Sequence, residues 1–183
     1  METSFLKTKG GYRHLRCYQV TEVIYDITFF FTKHFLEKGD RTIDQMVQTA
    51  RSGKQNIAEG SEAASTSYET QIKLTNVAKA SLEELLIDYE DYLRVRNIPQ
   101  WNAGHPRFNK MRAFARSEQI FSQYRSLLDK CSDEEIANLC ITLIHQATYM
   151  LRRLLEKQQE IFLKKGGIRE QMRNARLSYR AGS

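Results

Sequence analysis

The chain has 183 residues, 41% hydrophobic and 27% charged, the composition of one globular domain long enough to bury a real core. Three cysteines without close spacing argue against a disulfide framework, and no apolar run is long enough to cross a bilayer. With no secretory h-region at its start, and with Cys17 and Cys140 set among apolar residues, the protein is expected to be cytoplasmic, with buried free thiols.

The formal net charge of +6 is unevenly placed. Lys7, Lys9, Arg13 and Arg16 against Glu2 put +3 in residues 1–21. Lys164, Lys165, Arg169, Arg173, Arg176 and Arg180 against Glu170 put +5 in residues 164–183, which leaves −2 for residues 22–163. A near-neutral body therefore carries two basic ends, and the domain plan follows: a basic arm over 1–12, a helical body over 13–165 with an insertion at 97–131, and a basic suffix over 166–183.

Only 2 prolines and 9 glycines leave room for long helices. The first is expected over Arg13–Leu36, with Val20, Val23, Ile24, Ile27, Phe30, Phe31 and Phe35 at the spacing of a core-facing stripe. Gly39-Asp40 ends it. Thr42 followed by Gln45 has the form of a capping box and opens a second helix reaching Gly60, in which Ile43, Met46, Val47, Ala50 and Ile57 share a face. Gly53 inside that helix costs about 1 kcal/mol relative to alanine, a cost usually tolerated where another backbone comes close. Glu59 near the helix end is disfavoured by the dipole and is expected to pair with a cation, and Gly60 is the residue suited to a left-handed cap. The preferred reading of Arg51, Lys54 and Glu59 is an intrachain charge network that sets helix packing; the alternative is a subunit or ligand contact.

After a short link, Thr66 with Glu69 repeats the capping box and opens a third helix to Arg96, with Leu74, Ala78, Leu82, Leu85, Tyr89 and Leu93 inward. Pro99 stops it. Residues 99–130 are the least regular stretch, with short helices expected at Phe108–Ala115 and Ile120–Leu128. Ser132 with Glu135 is a third capping box, introducing a long helix whose apolar face runs from Ile136 to Phe162 until Gly166-Gly167. No strand-period alternation occurs. The fold class is all-α, and the short links favour an antiparallel up-down-up-down four-helix bundle with a short basic C-terminal helix. That topology gathers Lys7–Arg16, the Gly60 turn and the Lys164–Arg180 tail at one end.

With Asn56-Ile-Ala-Glu-Gly-Ser61 placed in helix two, the chain resembles the bacterial four helix bundle protein family, first noticed in intervening sequences of large-subunit ribosomal RNA genes. That family includes the accessory variability determinant of diversity-generating retroelements. The matching residues are Tyr18-Gln19 and Ile24-Tyr25-Asp26 in helix one, Ala50-Arg-Ser-Gly-Lys-Gln-Asn-Ile-Ala-Glu-Gly60 in helix two, and Leu74-Thr-Asn-Val-Ala-Lys-Ala-Ser-Leu-Glu-Glu-Leu85 in helix three. The signature residues are thus Arg51, Gly53, Lys54, Asn56, Glu59 and Gly60. The resemblance spans residues 12–163, and Phe162-Leu-Lys-Lys-Gly-Gly-Ile-Arg-Glu-Gln-Met with Ala175-Arg-Leu resembles the suffix of one subgroup. It implies a ring-like homopentamer and, in the retroelement branch, a basic surface that binds nucleic acid and a partner reverse transcriptase.

The suffix is the strongest functional candidate. Arg169, Arg173, Arg176 and Arg180 step by 4, 3 and 4, which puts four guanidinium groups on one helix face, and a planar fork pairs with phosphate oxygens two at a time. Ile168, Met172, Ala175 and Tyr179 step identically and would dock such a helix on the bundle. The bland reading is a terminal helix kept soluble by its charges. Lys164, Lys165, Arg13 and Arg16 complete the basic set, although Tyr12 and Tyr18 beside the last two read better as packing residues than as base-stacking ones.

Enzyme and metal readings find little support. His14, His34, His105 and His145 fall in separate elements without ligand spacing. Glu83, Glu84, Asp88, Glu90 and Asp91 read as a solvated acidic face, and neither a phosphate-cradling glycine loop nor a nucleophile elbow occurs. No cofactor is implied. The expectation is a non-enzymatic, oligomeric accessory protein that binds RNA or DNA; the alternative is an adaptor module that docks a protein partner.

Overall fold

The computed structural model describes residues 11–181, and all regular structure among them is helical. A 3-10 turn over Tyr12–His14 leads into α1 (Arg16–Phe35), α2 (Arg41–Ala63) and α3 (Tyr68–Val95). Two short helices, α4 (Phe108–Arg116) and α5 (Gln119–Leu128), precede α6 (Asp133–Lys165), and α7 (Ile168–Ala181) follows it. The arm over residues 1–10, with Lys7 and Lys9, lies outside the described residues. No helix among the described residues is long and apolar enough to cross a membrane.

The long helices α1, α2, α3 and α6 surround one core in which Ile24, Ile27, Phe31, Met46, Leu82, Leu85, Tyr89, Leu143 and Ile144 are fully buried. α2 packs on α3, α3 on α6, and α1 on both α2 and α6. Paired residues give the directions. Gly53 faces Leu82 while Gly60 faces Leu74, so α2 and α3 run oppositely; Tyr92 bonds Asp133 while Gln158 bonds Thr75, so α3 and α6 do too.

Three buried threonines of α1 solve the problem of polar groups in this core by bonding their own helix. Thr21, Thr28 and Thr32 donate to the carbonyls of Tyr18, Ile24 and Phe29 at 2.7, 2.7 and 3.2 Å. Thr28 also accepts the Tyr89 hydroxyl at 3.0 Å, which lets the largest core side chain keep its bond; such satisfaction is what makes burial of polar groups tolerable. Cys17, Cys131 and Cys140 are free, the first and last buried, and burial pushes the Cys140 thiol up to about 12.

The glycine in mid-α2 does what its cost suggested. A Cβ on Gly53 would lie 2.8 Å from Leu82 Cδ2 and 3.7 Å from the Ala78 carbonyl oxygen, so the Leu82 side chain fills the space that a Cβ would need, beside a Ser52–Ser81 hydroxyl pair at 2.9 Å. Gly60 departs from its expected role. α2 continues to Ala63, and a Cβ on Gly60 would sit 3.3 Å from Leu74 Cβ: it is a packing residue inside the helix, not a left-handed cap.

Helix starts also differ in detail. Asp40, not Thr42, caps α2 by accepting from Thr42 N at 2.8 Å. Ser67, not Thr66, caps α3 by accepting from Thr70 N at 3.2 Å, while Thr66 Oγ1 donates backwards to Ala63 O. The Ser132–Glu135 capping box forms as expected. α1 begins three residues later than the stripe implied, at Arg16, because the chain first makes its 3-10 turn.

The irregular stretch is a helical hairpin laid over the body. α4 packs on α6 and α5 on α1, and Ala115, Ile120, Tyr124 and Leu128 join the core. Asn97 in the left-handed region (φ 55°) ends α3, a conformation asparagine tolerates. Asn138, buried on α6, then anchors the link by accepting from Trp101 N at 2.7 Å and donating to Pro99 O at 3.1 Å.

The acidic face of α3 is solvated only in part. Glu83 pairs with Lys79 and Asp91 with Arg94, but Asp88 Oδ2 is buried without a hydrogen-bond partner. Burial, reinforced by Glu84 and Asp91, raises its carboxyl to about 6.

Candidate nucleic-acid interface

α6 ends where Gly166 turns into the left-handed region (φ 68°), and a glycine is required there: a Cβ would overlap the Glu170 carboxylate. Glu170 accepts from Gly167 N at 3.0 Å and Gln171 donates to Gly166 O at 3.1 Å, so the first turn of α7 is fastened to the joint. Gly167 also lies against Glu69 of α3, and Ile168 and Gln171 line a small crevice with the α2–α3 turn. The end of α6, the start of α7 and the α2–α3 turn are therefore neighbours.

From that anchored turn α7 carries Arg169, Arg173, Arg176 and Arg180, all exposed, and none makes an ion pair among the described residues. The expected docking by an apolar stripe does not occur. α7 buries no residue; Met172 is 51% and Tyr179 74% exposed, and Ala175 is exposed as well. Of that stripe Ile168 alone is half-buried, at the anchored turn with Gln171.

The remaining basic candidates divide. Lys165 is exposed; Lys164 pairs with Glu160, whose carboxyl it holds below the usual range. Arg13 is exposed, its guanidinium 5.4 Å from the Tyr12 ring centre, and Tyr12 itself packs edge-on against buried Tyr18, the packing role expected of that pair. Arg16 is committed elsewhere. It pairs with Glu118, donates to the carbonyls of Arg116 and Ser117 at 3.2 and 3.3 Å, and covers the Phe121 ring at 4.3 Å. It thus satisfies the open end of α4 and clamps the hairpin to α1. Of the segments expected to gather, α7 meets the α2–α3 turn, and Arg16 is taken up by the α4–α5 link.

The signature residues do not form the expected charge network. Arg51 and Glu59 are exposed and make no ion pair among the described residues. Lys54 lies 4.5 Å over the Tyr25 ring, a cation–π contact that ties α2 to α1. Asn56 donates to Ser52 O at 2.9 Å. Gly53, Gly60 and Lys54 of the signature therefore make contacts between helices, whereas Asn56 bonds within α2.

Two arginines went unread in the sequence. Arg112 and Arg116, one turn apart on α4, line a cleft of about 750 Å³ against α6. Their spacing of four residues is the signal that the sequence carries for this pair. No group of three or more His, Cys, Asp or Glu among the described residues could hold a metal ion. Comparison of the chain with family models, with curated proteins and with solved structures returns no match.

Proposed function

We propose that the protein is a non-enzymatic, cytoplasmic accessory protein that binds RNA or DNA through α7, on an up-down-up-down four-helix bundle of the four helix bundle protein family. Its partner is a reverse transcriptase, as the resemblance implies, or another nucleic-acid-processing protein, and its working form is a homopentamer. The observation that carries the reading is the row of four exposed arginines on α7, a helix that buries none of its own residues. Opposed directions of neighbouring long helices support the bundle topology. Exposed Phe29, Ile87, Val95 and Leu163 supply apolar surface for contacts between copies.

If the arginines contact phosphates, affinity falls with salt because each neutralised phosphate releases counterions. Four contacts correspond to a log–log slope of roughly −3 to −4, and replacing all four arginines by alanine removes about that much while weakening different sequences alike. Circular dichroism and light scattering on the variant control for folding and for a mass near five copies of the 21.4 kDa chain. A variant that stays folded and assembled yet binds RNA and DNA like the parent sinks the reading. An adaptor function then takes its place, favoured by the apolar Val77, Ile87 and Val95 exposed among the acids of α3.

A further inference from the structure

The cleft between α4 and α6 holds more than two free arginines. At about 750 Å³ it falls in the range of small-molecule sites, roughly 300–1,000 Å³. Arg112 and Arg116 line it and no Asp or Glu does; neither arginine makes an ion pair among the described residues. The arginine side chains are accompanied by aromatic surface. Phe108 carries the Arg112 guanidinium 5.3 Å from its ring centre, and Tyr149, 56% exposed, stands at the cleft with Arg152 at 5.3 Å from its ring.

The cleft also contains an unanswered polar atom. Gln146, one of its lining residues, keeps Oε1 buried without a hydrogen-bond partner, a costly situation that calls for a donor from outside the chain. The wall at the start of the cleft is preformed. Trp101 is held by its backbone N–H on Asn138 and by its indole N–H on Glu134 at 2.6 Å.

We propose that this cleft binds one nucleotide unit. The phosphate is met by Arg112 and Arg116, the base lies against the Tyr149 and Phe108 rings, and an N–H donor on the base reaches Gln146. Each feature excludes a simpler ligand: a bare anion leaves the rings and the amide unused, and an apolar ligand leaves two arginines and the amide unanswered. Base–aromatic stacking tolerates any base because every base has a π-face, and guanidinium–phosphate bonds are among the strongest hydrogen bonds proteins make. The unit is either a free mononucleotide or one unstacked residue of a single strand. The site lies on α4 and α6 and does not depend on the α7 row.

Calorimetric titration of the full chain with AMP, UMP, inorganic phosphate and a five-residue single-stranded RNA tests this. The parent binds at least one mononucleotide or the RNA saturably, and more tightly than phosphate. R112Q/R116Q loses about tenfold or more in that affinity, and Gln146→Leu weakens nucleotide binding while leaving the weak phosphate binding unchanged. The quadruple α7 arginine variant keeps mononucleotide binding. In the quadruple α7 variant, where the helix row no longer contributes, binding of the RNA without the mononucleotides that is lost on adding R112Q/R116Q supports the proposal and identifies a strand as the source. A folded R112Q/R116Q protein that binds mononucleotides and RNA like the parent overturns the proposal, and so does phosphate binding as tight as AMP and UMP.

Discussion

α5 and α7 are both short helices outside the four long ones, and both carry apolar residues at helical spacing and exposed arginines. They do opposite things. α5 buries Ile120, Tyr124 and Leu128 against the body, and Arg125 is held by Asp26 at 2.8 Å and donates to the Tyr124 hydroxyl at 2.9 Å. α7 buries nothing and its arginines make no ion pair among the described residues. An amphipathic pattern says which face of a helix can be covered; whether it is covered depends on a neighbour. The same holds for cations. Arg16 and Arg125 are structural because carboxylates and carbonyls await them, whereas the α7 row faces outward with no internal claim on it.

The largest effect that separates the two helices is core loss. Ile120→Ala, at a fully buried position, should cost about 2–5 kcal/mol, while Met172→Ala should change stability by less than about 0.5 kcal/mol. Urea denaturation followed by circular dichroism measures both. Equal midpoint shifts would mean that α7 is packed as firmly as α5, and the contrast would collapse.

A smaller effect separates the two kinds of arginine. Arg16→Ala removes the Glu118 pair and two carbonyl bonds, and should cost roughly 1–2 kcal/mol after allowing for the exposure of its partner. It should leave the salt slope of nucleic-acid binding unchanged. Arg173→Ala should do the reverse, flattening the slope by about 0.7–0.9 with no loss of stability. Each substitution moves one observable; a variant that moves both blurs the distinction.

The smallest effect sharpens the comparison through pH. The folded-state carboxyl of Asp88 titrates at about 6, above the unfolded value near 3.9, so the folded chain binds the extra proton between those values. Stability therefore falls as pH rises from about 4 to 6 and stays lowered above it. Asp88→Asn should raise stability at pH 7 by an amount on the order of 1 kcal/mol, screened as the group is partly exposed, and the gain should vanish near pH 4. Thermal melts at the two pH values check it.

The sequence made local signals plain and left tertiary ones dark. Ser132–Glu135 and Gly166 were readable because capping is a bargain between neighbouring backbone groups and side chains. Thr42 and Thr66 were misread because Asp40 and Ser67 stood close enough to compete, and the direction from which the chain enters decides among them. Gly53 announced a close approach through its cost to the helix. Gly60 carried the same composition but a second legitimate meaning, and only Leu74 on another helix selects between them. Arg16 and the α7 row look alike as charge; burial of the hairpin distinguishes them, and burial cannot be read from spacing. The α4–α6 cleft was invisible for the same reason, since it exists only between elements.

The joint at Gly166-Gly167 fixes more than the end of α6. A helix of 14 residues is about 21 Å long, and Glu170 and Gln171 fasten its base at both glycines. α7 thereby projects from the body, with its four arginines set along one line of the helix. A phosphate strand meeting that line meets charges spaced by the helix itself. In an assembly of several copies, these helices would repeat with the symmetry of that assembly.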